Sequence, residues 1–156
     1  MDSKSVMQRQ YPSAPIPSVG VIVCKKDTVL LVLRGHEPSQ GKWSIPGGVV
    51  ELGETIREAA RREVLEECGL EVEVRDIVDV VDAIICDEEG RIQYHYILID
   101  LLATHVSGQL VIGSDIEDAR WVSEEGLARF DLTKAALPVI RKALRKSKLD
   151  FSTSTY

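Results

Sequence analysis

Residues Gly48–Leu70, GVVELGETIREAARREVLEECGL, carry the reading on which the fold turns. Thr55 followed three residues later by Glu58 is a capping-box pair, so a helix is expected to begin at Thr55. The body that follows is rich in Ala, Glu, Arg and Leu, which lose little side-chain freedom in a helix. Gly69 suits the left-handed position that closes such a helix, with Leu70 reaching back toward Leu65.

At about 100° per residue, Ile56, Ala59, Ala60 and Val64 share the side that should face a sheet. Glu63, Glu66 and Glu67 fall on that same side or at its margin. Carboxylates crowded beside a buried face repel one another and lose water, which a cation must offset. Oxygen-only ligands select a hard divalent ion, so Mg²⁺ or Mn²⁺ is implied. Arg62, four residues before Glu66, stands where it can orient or partly neutralise the acids. The competing reading of the same residues is an ordinary amphipathic helix with a solvated, Glu-rich face.

Outward from the helix the pattern is one of strands. Val19–Cys24 and Val29–Leu33 are β-branched runs joined by the hairpin segment Lys25–Thr28. A polar loop, Gly35–Gly41, and a short stretch, Lys42–Ile45, lead to Pro46-Gly47-Gly48, where the backbone must turn tightly or approach another group. Beyond the helix, Val72–Cys86 and Arg91–Val106 are long strand patterns around the turn Asp87–Gly90. Val111-Ile112 is too short to assign, and Ala119–Val122 is a further short strand. Helical patterns follow near Ser123–Phe130 and Pro138–Lys146, with Pro138 in a first turn, where its missing N–H costs nothing. Hairpin-linked strands with interspersed helices give an α/β (α+β) domain, a mixed β-sheet flanked by helices. The expected organisation is an extended Pro-rich arm over 1–17, one domain over 18–146 and a frayed tail over 147–156.

Composition narrows the function. The chain has 156 residues, 44% apolar and 28% charged, with 25 acids against 19 bases and a net charge of −6. That length suits one domain with a real core. An acidic chain is a poor nonspecific binder of nucleic acid. No stretch approaches the roughly 18 apolar residues of a membrane span, and the first residues lack the apolar run of a secretory signal. Cys24, Cys68 and Cys86 are odd in number, show no zinc-type spacing and read as reduced, mostly buried thiols of a cytoplasmic protein.

Gly48, Glu54, Arg62-Glu63-Val64, Glu66-Glu67 and Gly69-Leu70, at their spacings, resemble the box of the Nudix hydrolases (MutT-related) at every fixed position. The surrounding pattern resembles the family over most of residues 18–146. The resemblance implies an α/β/α sandwich and metal-dependent hydrolysis of a nucleoside diphosphate linked to another moiety. It implies that Glu63, Glu66, Glu67 and the Gly47 carbonyl hold the metal, that Glu54 supports the cluster and that Arg62 holds the carboxylates. The general base is either Glu63 or an acid from a later loop. Among Asp115, Glu117 and Asp118, Glu117 is favoured as a further metal ligand. An exposed loop acid is the equal alternative.

Arg34 is a candidate phosphate contact and Trp43 a candidate substrate contact; a surface Arg and a core Trp are the plain alternatives. Tyr94, His95 and Tyr96 alternate, so only one face of that strand can line a pocket. His36 and His105 are read as surface or packing residues. Arg34–Glu54 and Ile16–Val23 look similar to the ADP-ribose pyrophosphatases, which makes ADP-ribose or a similar nucleoside diphosphate derivative the leading small-molecule substrate. The substrate markers depart from pattern: Ile85 stands where a proline marks that activity, Asp87 and Glu88 where a tyrosine marks dinucleoside polyphosphates. The motif that marks NADH specificity is also missing. A MutT-like (d)NTP pyrophosphohydrolase and a non-catalytic nucleotide sensor are the alternatives, as is a structural interaction domain whose arm pairs two subunits; a homodimer is also compatible with the hydrolase.

Overall fold

The computed structural model describes residues 8–153, with side chains described as far as Lys148. Its elements are β1 (Ile16–Lys25), β2 (Thr28–Arg34), β3 (Trp43–Ser44), β4 (Gly47–Val49), α1 (Ile56–Cys68), β5 (Glu71–Cys86), β6 (Ile92–Ser107), β7 (Ile116–Ser123), a 3₁₀ turn over Glu125–Arg129, and α2 (Ala136–Thr153).

Seven strands form one sheet with the central order β3-β2-β1-β6-β5, β4 pairing β1 and β7 pairing β2. The β1–β6 pairing is parallel and the others antiparallel, so the sheet is mixed. Side chains alternate across β1, and the two faces meet different helices. Val19, Val21 and Val23 join Leu30, Val32 and Leu101 beneath α1, which contributes Ala59, Ala60, Val64 and Cys68. Ile22 joins Val29, Leu31 and Leu102 beneath α2, which contributes Val139, Ile140 and Ala143. The result is the expected α/β/α sandwich. Each fully buried Val, Leu or Ile adds about 1.5–3 kcal/mol of burial energy to this central layer. Ala59 and Ala60, both fully buried, let α1 lie close to the strands.

Several element limits differ from the sequence reading. β1 already begins at Ile16, because Ile16 is buried and pairs with Tyr96, so the end of the Pro-rich segment belongs to the sheet. Residues 1–7 of the expected arm lie outside the described residues. α2 continues to Thr153, past Lys146, so residues 147–153 of the expected tail are helical. β7 is longer than Ala119–Val122 because Ile116 is buried and pairs with Arg34 across a bulge. Leu70 is buried whereas Leu65 is 51% exposed, so α1 closes chiefly through the Gly69 N–H donating to the Leu65 carbonyl. Cys68 is buried and Cys24 half-buried, but Cys86 is exposed, a correction to the expected burial of the thiols. Among the described residues no helix is long and apolar enough to cross a membrane.

Candidate active site

The site is built by the turn from β4 into α1. The capping box forms as expected: Thr55 Oγ1 accepts from the Glu58 N–H at 3.1 Å and Glu58 Oε2 from the Thr55 N–H at 2.8 Å. This fixes the first turn of α1 and therefore the phase of its acids. The tight turn before it uses Gly53 at φ +83°, and the Glu51 N–H donates to Glu54 Oε1 at 3.1 Å.

Arg62 organises the acids. Its Nε donates to Glu54 Oε2 at 2.7 Å and its Nη2 to Glu54 Oε1 at 2.9 Å. Nη1 donates to Glu63 Oε1 at 2.8 Å and to Glu66 Oε2 at 3.2 Å, and Nη2 also reaches the Val49 carbonyl at 3.0 Å. The Glu54 carboxyl is held below its ordinary range by the Arg62 hydrogen bond, and the Arg62 guanidinium is raised by the same contact.

Two glycines let the acids press against the sheet. A Cβ on Gly48 would sit 2.4 Å from Glu63 Oε1. A Cβ on Gly47 would sit 2.0 Å from the Val19 carbonyl oxygen. The Gly47 N–H donates to Glu67 Oε2 at 3.3 Å. Glu67 is only 8% exposed, and burial, with Glu63 second, pushes its carboxyl up to about 8 against that hydrogen bond. Glu63 is raised in the same direction, chiefly by burial and against its Arg62 bond. Glu66 differs: it lies on the exposed flank of α1, engaged by Arg62.

The loop after β6 closes the far side. The Val111 N–H donates to the Cys68 carbonyl at 2.9 Å and the Gly113 N–H to the Glu67 carbonyl at 2.7 Å, capping the C-terminal carbonyls of α1. This docking brings Asp115 toward the acids, where its charge raises both Glu63 and Glu67. Glu117, favoured from sequence, is exposed within β7 rather than in a loop, and it does not line the cavity. The added strand pairing at Ile116 turns it outward, so the later acid that faces the site is Asp115.

A cavity of about 250 Å³ runs from these acids along the sheet. Arg34 lines it, its Nε donating to the Pro38 carbonyl at 2.7 Å, with burial lowering the guanidinium and Glu67 opposing that shift. Trp43 does not line it. That ring packs edge-on against Phe130 at 5.0 Å, and the Thr133 N–H donates to the Trp43 carbonyl at 2.8 Å. Trp43 therefore fixes the wall that carries Ser44 and Thr133, whose hydroxyls are 3.2 Å apart. Of the alternating aromatic trio, Tyr96 lines the cavity and Tyr94 stacks beside it at 6.2 Å. His105 reaches the Gly108 carbonyl at 3.1 Å and packs edge-on against Trp121.

The sequence reading did not single out Arg9, Ser18 or Asp100, which line the cavity, and it took His36, which also lines it, as a surface or packing residue. Only Asp100 had a visible signal, as a lone acid inside the apolar run of β6.

As the side chains stand, no three acidic, histidine or cysteine residues among the described ones converge at metal-ligand spacing. The donor set nevertheless fits a hard divalent cation. Glu63 and Glu67 are oxygen donors, forced together in a partly dry pocket, and each is raised by the other acids around it.

A mixed sheet between two helices, with a glycine turn feeding an acid-rich helix, defines a class, and comparison with known proteins identifies it. The sequence model of the NUDIX domain matches residues 14–143. An ADP-ribose pyrophosphatase of Methanocaldococcus jannaschii is 33% identical over 115 residues, covering 74% of this chain and 66% of that protein, just under two thirds of its length. The nucleoside triphosphatase NudI of Escherichia coli K12 is 34% identical over 119 residues, covering 72% of this chain and 79% of that protein. The crystal structure of a MutT NUDIX hydrolase from Burkholderia pseudomallei superposes with a TM-score of 0.73 at 27% identity, covering 83% of this chain and 98% of that one. The chain belongs to the Nudix hydrolase family.

Proposed function

We propose that the chain is a pyrophosphohydrolase that cleaves the phosphoric anhydride of a nucleoside diphosphate derivative, ADP-ribose first among them, by attack of water on phosphorus. The observation that carries this reading is buried Glu67 beside half-buried Glu63, whose charges repel, lining a nucleotide-sized cavity. In the proposal Glu63, Glu66, Glu67 and the Gly47 carbonyl hold Mg²⁺ or Mn²⁺, with Asp115 rather than Glu117 as the later acid. A divalent ion there supplies charge neutralisation at the anhydride and a more acidic water.

The chain's own residues do the rest. Arg62, clamped by Glu54, holds Glu63 and Glu66 in place. Arg34, at the cavity wall next to Glu67, binds a phosphate oxygen. Glu63 or Asp115 takes the proton of the attacking water. The relative named as an ADP-ribose pyrophosphatase supports the substrate. The proposed compartment is the cytoplasm, a reading the free thiols of Cys24, Cys68 and Cys86 support. A second reading, (d)NTP pyrophosphohydrolysis, is supported by the similarity to NudI.

The test is a product screen with ADP-ribose, nucleotide sugars, dinucleoside polyphosphates and (d)NTPs in ¹⁸O water, with Mg²⁺, Mn²⁺ or excess chelator. AMP and ribose 5-phosphate from ADP-ribose, abolished by chelator and by Glu67→Gln, are the expected results. Full turnover in chelator or in Glu67→Gln overturns the proposal.

A further inference from the structure

On the sheet floor of the cavity, Asp100 and Ser18 carry polar groups with no hydrogen-bond partner among the described residues. Asp100 on β6 is 5% exposed, and among the described residues no hydrogen bond to its carboxylate offsets its burial. Ser18 on β1 is 5% exposed, and its Oγ is buried without a hydrogen-bond partner among the described residues. β1 and β6 are paired in parallel, Ser18 with Leu98 and Gly20 with Asp100, so both groups lie on one face of neighbouring strands. Both line the cavity.

Room for the carboxylate is made by a glycine. A Cβ on Gly20 would fall 2.3 Å from Asp100 Oδ1 and 2.8 Å from Ile45 Cδ1. Among the described residues no cation compensates the buried acid. Its cross-strand partner is another acid, Asp79, and the nearby Lys142 is engaged by Asp79 at 3.4 Å. Burial and Asp79 together push the Asp100 carboxyl up to about 6. A buried acceptor that the protein leaves unsatisfied costs folding energy, and such groups mark sites whose partner is a ligand. Around the pair the walls are apolar, with Ile45, Leu98 and Val139 facing the cavity.

We propose that Asp100 and Ser18 read the hydrogen-bonding edge of an amino-bearing nucleobase, so that they set the base specificity of the nucleotide reaction proposed above. The inference rests on that reading for the position of the phosphates, at the Arg34 and Glu67 end. An apolar-walled pocket floored by an acceptor and a hydroxyl suits a heteroaromatic ring with a donor beside an acceptor. Adenine fits: its amino group donates to the Asp100 carboxylate while its N1 accepts from the Ser18 hydroxyl. Hypoxanthine puts a carbonyl oxygen where the amino group was, against a carboxylate that can only accept. A site with a buried acceptor left unpaired rejects such an analogue strongly.

The deciding experiment compares ADP-ribose with inosine diphosphate ribose, and AMP with IMP by calorimetry, in the wild type, Asp100→Asn and Ser18→Ala. The wild type should favour the adenine form at least 10-fold in kcat/KM and in binding. Asp100→Asn, whose amide can donate to the hypoxanthine carbonyl, should shrink that preference 10-fold or more. It should do so mostly through KM, and it should also fold more stably, because a buried charge is gone. Ser18→Ala should weaken both AMP and IMP without shrinking the preference in the way Asp100→Asn does. Equal preference in wild type and Asp100→Asn, or no binding of either monophosphate, overturns the inference. Loss of turnover on every nucleotide with the AMP preference intact overturns the proposed reaction and upholds the base-reading pair.

Discussion

Arg62 grips Glu54 through two parallel hydrogen bonds, Nε to Oε2 at 2.7 Å and Nη2 to Oε1 at 2.9 Å, and with its remaining Nη1 holds Glu63 and Glu66. A guanidinium can do this because it presents five donors in a rigid fork; an ammonium cannot. Arg62→Lys should therefore keep the charge but lose the fork. Activity should fall 10- to 100-fold, with stability reduced by about 2 kcal/mol, since both side chains are only partly exposed. Glu54→Gln should show a similar but smaller loss, because one acceptor of the pair survives. Steady-state kinetics beside urea unfolding separates the two effects. An Arg62→Lys variant with wild-type kcat would remove the organising role from this contact.

The two glycines at the site should respond differently to the same added methyl. In Gly48→Ala the new Cβ meets the carboxylate of Glu63, the far end of a flexible side chain. The chain can yield there by moving Glu63, so folding should survive while activity drops by two orders of magnitude or more. In Gly47→Ala the new Cβ meets the Val19 carbonyl and the Gly20 Cα, which are backbone atoms of a central strand. That clash cannot be relieved by a side-chain rotation, and the expected loss is in stability, about 3 kcal/mol or more. Thermal midpoints and rates of both variants, measured side by side, check the contrast.

Much of this was legible in the sequence, because the relevant signals are local. The Thr55–Glu58 capping box and Gly69 delimit α1, and the helical period places Glu63 and Glu67 at the edge of its buried face. The hairpin at Lys25–Thr28 follows from two β-branched runs with a short polar link. What escaped depends on contacts distant along the chain. Whether Asp115 or Glu117 faces the cavity is decided by a bulge between β7 and β2 and by the loop docking on the α1 carbonyls. Trp43 lies beside the site in sequence, yet Phe130 draws its ring to the other side of the wall. The two outer limits, Ile16 and Thr153, were missed because prolines and lysines conceal a strand start and a helix end whose partners are remote.

Glu67 gives the metal-free protein a distinctive pH dependence. Its carboxyl is raised from 4.5 to about 8 in the folded state, chiefly by burial. Between those values the folded chain holds a proton that the unfolded chain has released, so stability falls as pH rises across that window. The penalty is absent below the unfolded value and complete above about 8, amounting to at most about 5 kcal/mol at 1.36 kcal/mol per pKa unit. Without metal, Glu67→Gln should match the wild type near pH 4 and exceed it in urea resistance near pH 9. Added Mg²⁺ should restore the wild type at high pH and leave the variant unchanged, with proton release on binding near pH 7. Identical pH profiles for the two chains would show that Glu67 is not held protonated by its surroundings.

The segment before β1 runs on beside the start of β6 and the turn that precedes it, and this tie presents Arg9 to the cavity. The Tyr11 hydroxyl donates to Asp87 Oδ2 at 2.8 Å, the Tyr11 N–H to the Gln93 carbonyl at 2.8 Å, and Gln10 Nε2 to the Tyr94 hydroxyl at 2.9 Å. The Asp87 carboxyl is held down to about 2, first by Tyr11 and then by hydrogen bonds from the turn and Arg91. Because it is lowered rather than raised, the contact persists at every pH where the enzyme can work and is lost only in strong acid. Tyr11→Phe removes the hydroxyl and keeps the ring under the Arg91 guanidinium, 5.2 Å from its centroid. The variant should speed amide exchange at Tyr11 several-fold. KM for an anionic nucleotide should rise a few-fold at unchanged kcat, since Arg9 lines the cavity as a positive charge and is not among the proposed metal-holding residues. Arg9→Ala should give the same KM, and the double variant should be no worse than Arg9→Ala alone. Additive effects would mean that the latch and the arginine act separately.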